Sequence, residues 1–274
     1  MPTTKNIRLT IIGGGTMGKS FALMLAKGFI SPSNLTVSDR DCASIEDLAR
    51  EHNITITDNN RKATKNAHVI LLAVKPVDIP SVLEDIKTVI KSKTLIMSIA
   101  AGVKIQSLQQ VLGKDVAIVR AMPNTPTRIA KGITIWTSNK KASVQQKKYA
   151  ESLFNALGEQ YYTKREPLLD KVTAISGSGP AYYFYFTEAL IHAALTLGFN
   201  EQLAYVLATK TFFGTAALME QSGKTPEDLR RGVTSKKGTT EAAIHQMEKG
   251  KLGETVQKAV HAAFTRAQEL GKVR

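Results

Sequence analysis

The sequence of 274 residues predicts an α/β protein in which a doubly wound parallel sheet is followed by an all-helical region. Strand and helix patterns alternate up to about residue 163, which is typical of a parallel sheet with helices on both faces. A G-x-G-x-x-G run directly follows the first strand and opens a helix. From residue 164 onward the pattern is helical only. We therefore expect two domains, residues 1–163 and residues 164–274.

Short β-branched runs and apolar residues at helical spacing place the individual elements. The first two strands fall at 7–12 and 34–37, and the helix between them has Phe21, Leu25 and Phe29 on one face. The other predicted strands are 54–57, 68–74, 94–98, 116–122, 132–137 and 159–163, with helices near 43–52, 78–91, 104–112 and 143–157. Helices at 166–175, 180–198, 201–221, 226–231, 239–249 and 252–270 complete the chain.

The glycine run after the first strand predicts a dinucleotide site. Gly13 permits a tight turn, Gly15 lets the backbone approach a pyrophosphate, and Gly18 lets the helix pack closely on the strand. The second strand ends in Ser38-Asp39-Arg40, about 20 residues after the last glycine, where such folds read the adenosine ribose. Asp39 would accept a hydrogen bond from a free 2′-hydroxyl, whereas Arg40 would bind a 2′-phosphate. The residues alone leave NADH and NADPH both open.

A second polar passage, VTSKKGTTEAA at 233–243, ends where a helix begins. Gly238, Thr239 and Thr240 bring unpaired N–H groups, two hydroxyls and the positive end of the helix dipole together, which suits a small carboxylate. An ordinary N-cap is the alternative. Three further passages close predicted strands at the edge where ligands bind: LAVKP (72–76), SIAAGV (98–103) and MPNTP (122–126).

Composition narrows the class of protein. The chain is 43% apolar and has a single cysteine, Cys42, which excludes an internal disulfide and suggests a reducing compartment. Its five histidines show no ligand spacing, so no metal is predicted. The net charge of +14 comes without an aromatic-interleaved basic stripe, so we expect no nucleic-acid partner. The segment 180–199 resembles a membrane span but carries Glu188 and His192, and burial between subunits explains it better.

Together with SGSGPAY at 176–182, these passages form a collinear set that covers nearly the whole chain. The sequence closely resembles pyrroline-5-carboxylate reductases. The resemblance implies NAD(P)H-dependent reduction of Δ1-pyrroline-5-carboxylate to L-proline, with NADPH favoured. The reducing compartment suggested by the single cysteine is expected to be the cytoplasm. It also implies a Rossmann domain followed by a helical oligomerisation domain. The expected assembly is a homodimer, with the helix that follows SGSGPAY swapped into its interface, and in many members five such dimers form a decamer.

The resemblance also assigns residues to roles. Along the cofactor it implies contacts from Gly13, Gly15, Thr16, Met17, Asn60, Ala73, Lys75, Ala101 and Asn124, which join the Gly18, Asp39 and Arg40 already indicated by the glycine motif and the end of the second strand. The substrate would be held by Gly238, Thr239 and Thr240, with their backbone N–H groups on its carboxylate, and the charge of Lys237, which is this chain's own, would help to hold that carboxylate. The Thr240 hydroxyl would orient the imine nitrogen, since a threonine is too weakly acidic to be a strong general acid near neutral pH.

Two positions depart from the family pattern. Many members have glycine where this chain has Lys237, and a lysine reaches a positive φ less freely. Thr16 stands where asparagine or glutamine is common. Three other functions are alternatives: a β-hydroxyacid dehydrogenase with Lys171 as its acid, a reductase of another cyclic imino acid, and a basic nucleic-acid-binding protein with a vestigial cofactor fold.

Overall fold

A computed structural model describes residues 6–271 and contains one eight-stranded sheet. The strands are β1 (Leu9–Ile12), β2 (Leu35–Ser38), β3 (Thr55–Thr57), β4 (Val69–Leu72), β5 (Leu95–Ser98), β6 (Ala117–Met122), β7 (Gly132–Ser138) and β8 (Gly158–Tyr162). Their order in the sheet is β3-β2-β1-β4-β5-β6-β7-β8. All the predicted strands are present, and the predicted doubly wound sheet is confirmed. The strand order reverses between β1 and β4, and ligands bind at such a point in open α/β sheets.

The expectation of a wholly parallel sheet is wrong at one pair, because β7 runs antiparallel to β6. The connection between these strands contains only a short 3₁₀ segment, Thr125–Ile129. A parallel return needs a crossover of a dozen or more residues, so the chain turns back on itself here. After β7 the helix α6 (Val144–Asn155) provides such a crossover, and β8 is again parallel to its neighbour.

Helices cover both faces of the sheet. The remaining helices up to β8 are α1 (Thr16–Ala26), α2 (Glu46–His52), α3 (Asn60–Thr64), α4 (Ile79–Ile86) and α5 (Ile105–Leu112). Along β1 and β4 every residue from Leu9 to Ile12 and from Val69 to Leu72 is buried. Alternate residues enter different cores, with Ile11 in one apolar cluster and Ile12 in the other. This two-sided burial explains why these strands read as continuous apolar runs.

The chain after β8 is helical, as predicted. It forms α7 (Leu168–Val172), a π-helical turn (Thr173–Gly177), α8 (Gly179–Thr196), α9 (Glu201–Ser222), α10 (Pro226–Gly232), α11 (Thr239–Lys249) and α12 (Leu252–Leu270). By its internal contacts the chain divides into two units: the first runs to Ser178 and resumes at Ala263, and the second is Gly179–Ala262. The predicted functional boundary at 163/164 follows the end of β8 and stays a prediction.

The second unit exposes many large apolar side chains. Tyr185 on α8 is 75% exposed and Phe213 on α9 is 66% exposed. A helix that is apolar on all sides, as α8 is, is normally covered by other protein. Among the described helices none is long and apolar enough to cross a membrane.

Candidate functional site

The glycine turn after β1 packs closely against the ends of β2 and β4 and against the start of α1. Gly13 has a φ of 102° and donates its N–H to the Ser38 carbonyl at 2.8 Å. A Cβ on Gly13 would lie 2.8 Å from the backbone of Ala73, and a Cβ on Gly18 would lie 1.8 Å from the Gly13 carbonyl oxygen. Both glycines are therefore required by close backbone packing. They bring the carboxyl ends of β1, β2 and β4 together.

Gly15 is different because its surroundings are open. A Cβ built there would have no heavy atom within 4 Å, and its backbone is extended, with φ −63° and ψ −175°. It is the N-cap of α1, and no side chain caps the helix. The first N–H groups of α1, from Thr16 and Met17 onward, thus lack an intrahelical acceptor and carry the positive end of the helix dipole. This arrangement fits a pyrophosphate.

A cleft of about 340 Å³ begins at this turn. Of the predicted cofactor residues it is lined by Gly13, Gly15, Asp39, Arg40, Asn60, Ala73 and Lys75. Thr16, Met17, Gly18, Ala101 and Asn124 are not among its lining residues, although the first three belong to the same turn. Lys171, the acid of the dehydrogenase alternative, is exposed on α7 and does not line this cleft.

One wall of the cleft was missed by sequence reasoning. It consists of Asp78, Ser81, Val82 and Asp85 on and just before α4. Their spacing of three, four and seven residues puts them on one helical face, which was the available signal. Since α4 follows β4 at the reversal point of the sheet, this face could have been assigned to the crevice.

The end of the cleft at which the sequence predicts the adenosine is built around the end of β2. Ser38 donates its hydroxyl to the Asn60 side-chain oxygen at 2.7 Å, which leaves the Asn60 amide NH₂ as a donor. The Asp39 carboxylate accepts the N–H of Gly14 at 2.6 Å and that of Asp41 at 2.9 Å, one on each oxygen. Asp39 therefore braces the glycine turn. The sequence had suggested only its bond to a ribose.

Arg40 is the exposed cation of this end. Its side chain is 90% exposed, and its guanidinium lies 3.9 Å from the Asp78 carboxylate. An exposed ion pair of this length is weak, so the guanidinium can reorient toward a ligand. Asp39, Asp78 and Asp85 oppose it with negative charge along the same cleft.

The loops expected at the nicotinamide end are fixed by backbone contacts. Gly102 has a φ of 78°, and a Cβ there would lie 2.5 Å from the Ala267 carbonyl oxygen. Neighbouring Ala101 is therefore held by the end of α12. Asn124 accepts the Ile133 N–H on its side-chain oxygen at 2.8 Å. Its amide nitrogen remains a donor.

The loop before α11 carries a lysine where the family often has glycine, and the sequence alone left its geometry open. Lys237 adopts a φ of 57°, the left-handed conformation that favours glycine, and its N–H donates to the Glu241 carboxylate at 2.7 Å. Gly238 donates to the Ser235 carbonyl at 2.9 Å and is the N-cap of α11, which has no side-chain cap. The first N–H groups of α11, from Thr239 and Thr240, are therefore available to a small anion.

The single thiol is not activated. Burial, and then the charges of Asp58, Asp39 and Asp41, raise the pKa of Cys42 above its usual range. A raised pKa lowers the thiolate fraction and with it the reactivity of the side chain. Within residues 6–271 no group of three or more His, Cys, Asp or Glu side chains is arranged to hold a metal ion.

The reversal of strand order, the glycine turn and the uncapped start of α1 define a dinucleotide-binding protein of the Rossmann class. Comparison with known proteins narrows this class. Residues 8–102 match the family of coenzyme F420-dependent NADP oxidoreductases, and residues 166–270 match the pyrroline-5-carboxylate reductase dimerisation domain. The chain belongs to the pyrroline-5-carboxylate reductase family.

Relatives over the full length support this membership. The pyrroline-5-carboxylate reductase of Synechocystis sp. is 36% identical over 97% of this chain and 99% of its own length, and that of Corynebacterium melassecola is 34% identical over 96% and 98%. The crystal structure of Plasmodium falciparum pyrroline carboxylate reductase with NADP bound is 31% identical, with a TM-score of 0.90 over 98% of this chain and 100% of that one. The pyrroline-5-carboxylate reductase from Coxiella burnetii is 37% identical, with a TM-score of 0.88 over 97% and 99%.

Proposed function

We propose that this chain reduces Δ1-pyrroline-5-carboxylate to L-proline, the final step of proline biosynthesis. The observation that carries the proposal is the full-length similarity to reductases of this name, at 36% identity for the Synechocystis protein. The proposal is also supported by a glycine turn with an uncapped helix start in one unit and by a second uncapped helix start in the other, both of which suit an anion. A reductase of another cyclic imino acid is the nearest alternative, because the same groups would bind its carboxylate.

The cofactor is a nicotinamide dinucleotide, which supplies the hydride when it is bound in its reduced form. The start of α1 at Gly15, Thr16 and Met17 would hold the pyrophosphate, and Asn60 would donate to the adenosine end. Ala73, Lys75, Ala101 and Asn124 would lie along the nicotinamide half.

We favour NADPH over NADH. Both oxygens of Asp39 already accept backbone N–H groups, whereas the Arg40 guanidinium is exposed and only weakly paired. A guanidinium binds a phosphate with strong, directed hydrogen bonds. NADH remains the alternative, because Asp39 keeps lone pairs for a 2′-hydroxyl and Asp78 and Asp85 add negative charge.

The start of α11 would bind the substrate carboxylate. N–H groups at Thr239 and Thr240 lie at the positive end of the helix dipole, which favours an anion. Lys237 adds a full positive charge beside them, and its left-handed backbone sets the turn at Gly238. Fixing the carboxylate there would present the ring nitrogen to the side chain of the next residue, Thr240.

Thr240 would orient the imine nitrogen through its hydroxyl. A protonated imine accepts a hydride more readily, and the threonine can donate a hydrogen bond or relay a proton without being a strong acid. We expect Thr240→Ala to lower kcat by roughly ten- to a thousandfold, and Thr240→Ser, which keeps the hydroxyl, to retain most of the rate. Steady-state rates of the two variants decide this. An alanine variant within twofold of the wild type would remove Thr240 from catalysis.

The chain would act as an oligomer. The match of 166–270 to a dimerisation domain and the exposed apolar surface of α8 and α9 support a dimer. We propose that α8 lies in its interface, that the partner subunit completes the substrate site, and that five dimers can assemble into a decamer. The cytoplasm is the proposed compartment, on the argument from the single cysteine.

The first test is the initial rate of NADPH oxidation by the purified protein with Δ1-pyrroline-5-carboxylate, with NADH in parallel. We expect rapid substrate-dependent oxidation, faster with NADPH. A higher rate with NADH would overturn the preference but not the reaction. Folded protein that binds a dinucleotide yet oxidises neither would contradict the proposed reaction, and other cyclic imino acids would then be tried.

A further inference from the structure

An ion cluster with a buried arginine at its centre joins β6 to the segment around α7, and the site described above does not explain it. Arg120 lies on β6, directly opposite Ser98 of β5, and its side chain is only 3% exposed. Its guanidinium donates to Glu166 at 3.1 Å and to Asp170 at 2.5 Å. The arginine is thus clamped between two carboxylates from a segment that follows it by more than forty residues.

The first carboxylate also holds the loop that follows β5. The same Glu166 oxygen that binds Arg120 accepts the backbone N–H of Ile105 at 2.8 Å. Ile105 is the first residue of α5, and the N-cap, Lys104, makes no side-chain capping bond. Glu166 therefore caps α5 from another element. It fixes the end of the loop 98–103, which contains Ala101.

The second carboxylate holds the end of β6. Asp170 lies on α7, which continues without interruption into the π-helical turn Thr173–Gly177. That turn lies against the end of β6, because a Cβ on Gly177 would lie only 2.6 Å from the terminal methyl carbon of Met122. Met122 is two residues before Asn124. π-helical turns are rare and occur frequently at functional sites.

We propose that Arg120 is a positioning residue for hydride transfer. Through Glu166 and Asp170 it sets the distance between the loop carrying Ala101 and the strand end carrying Asn124, the two walls expected around the nicotinamide. This inference rests on the proposed function. Reacting atoms must lie about 3–3.5 Å apart, and a misplacement of about 1 Å can cost on the order of a hundredfold in rate.

The energetics of the cluster favour a geometric role over a purely stabilising one. Burying charges costs desolvation free energy that often cancels their attraction, so apolar residues of similar volume could pack here at equal stability. Apolar residues would lack the directed bonds of the guanidinium, which reach two separate elements at fixed angles. The contribution of Arg120 is therefore to fix the positions of the elements that its hydrogen bonds reach.

The test uses the full-length protein and three substitutions. Glu166→Ala removes the acceptor of the hydrogen bonds from Arg120 and from the Ile105 N–H, and Glu166→Gln keeps an acceptor. Arg120→Lys keeps the positive charge but loses the planar guanidinium that can donate to two carboxylates at once. Leu153→Ala, at a buried site on α6 outside the cleft and the cluster, is the control for lost stability. For each protein one measures the thermal midpoint, kcat, the primary deuterium isotope effect with cofactor labelled at C4, and the dissociation constants of the whole cofactor and of its adenosine fragment.

We expect Glu166→Ala and Arg120→Lys to lower kcat by about ten- to a hundredfold and to raise the isotope effect. Binding of the adenosine fragment (2′,5′-ADP, or 5′-AMP if NADH is preferred) should stay within about twofold, while the whole cofactor binds more weakly. Glu166→Gln should restore the isotope effect.

Two results would contradict a positioning role for Arg120. If the cluster variants lose kcat only as far as Leu153→Ala does at the same thermal midpoint, with the isotope effect unchanged, Arg120 is merely structural. An equal loss of affinity for fragment and whole cofactor would also overturn the proposal. A wild-type protein without turnover would refute the proposed function itself, and this is seen before any variant is made.

Discussion

Alanine at two glycines of the same motif should impair two different properties of the protein. Gly15 and Gly18 both belong to G-x-G-x-x-G, yet only Gly18 is enclosed. Gly15→Ala should therefore weaken dinucleotide binding in a stable protein. Gly18→Ala should destabilise the protein itself. The comparison separates a glycine needed by the ligand from one needed by the fold.

The magnitudes follow from the two environments. A Cβ on Gly18 would lie 1.8 Å from the Gly13 carbonyl oxygen, so α1 must move off the turn, at a cost of about 1–3 kcal/mol or more. At Gly15 the φ of −63° is open to alanine and nothing lies within 4 Å. The lower entropy of the unfolded chain and the poorer N-cap oppose each other, so the free energy of unfolding should change by less than about 1 kcal/mol. The added methyl would instead meet the pyrophosphate. Losing one charge-assisted hydrogen bond of about 1.5–3 kcal/mol weakens binding roughly ten- to a hundredfold.

Urea unfolding and calorimetric titration with NADP⁺ measure the two quantities separately. Only Gly18→Ala should clearly lower the free energy of unfolding, while both variants should bind NADP⁺ less tightly. A Gly15→Ala protein that is stable and binds within twofold of the wild type would show that the phosphate does not lie at the start of α1. A Gly18→Ala protein as stable as the wild type would refute the packing argument.

Three further experiments test the pH dependence of stability, the loop at Lys237 and the reactivity of Cys42. Burial and two nearby cations lower the pKa of His68 below its usual 6.5 in the folded protein. Its contribution to stability is therefore complete above pH 6.5 and is lost as the pH falls from there toward the folded-state pKa. The thermal midpoint should fall more steeply between about pH 8 and pH 5 for the wild type than for His68→Gln. Lys237→Gly should raise the free energy of unfolding by up to about 1 kcal/mol, since glycine has no Cβ penalty in the left-handed region, and should raise KM for the anionic substrate; unchanged KM would remove the ammonium from carboxylate binding. Cys42 should react with iodoacetamide near pH 7.5 more slowly than free cysteine, because its pKa is raised; a rate equal to that of free cysteine would contradict the environment assigned to it.

Local signals carried most of the fold prediction. The strand, glycine turn and helix between Leu9 and Ala26 are consecutive in sequence, so their pattern determines their structure directly. The positive φ of Lys237 was not predicted, because a lysine at a position where the family often has glycine left the geometry of the loop open. The five-residue helix α3 was missed because it is too short to show a helical period.

The rest depended on which distant segments meet. Arg120 reads as one more basic residue in a chain with 37 of them, and its partners follow 46 and 50 residues later. No local period encodes that pairing. The α4 wall could have been found from its spacing, but the second role of Asp39 as a brace depends on where the glycine turn comes to lie.

The second unit shows why the dimer belongs to the fold as much as to the function. Within residues 179–262 the buried positions are Gly179, Ala204 and Ala208, none of them a large side chain. A group of helices without buried large apolar residues gains little of the hydrophobic free energy that offsets the entropy of ordering a chain. The exposed faces of α8 and α9 hold the missing apolar surface, and a second copy can cover it. Folding of this unit and dimerisation are therefore expected to be one coupled equilibrium, in which stability depends on protein concentration. Because α11 and the loop at Lys237 belong to the same unit, the expected substrate site should form only in chains that have paired.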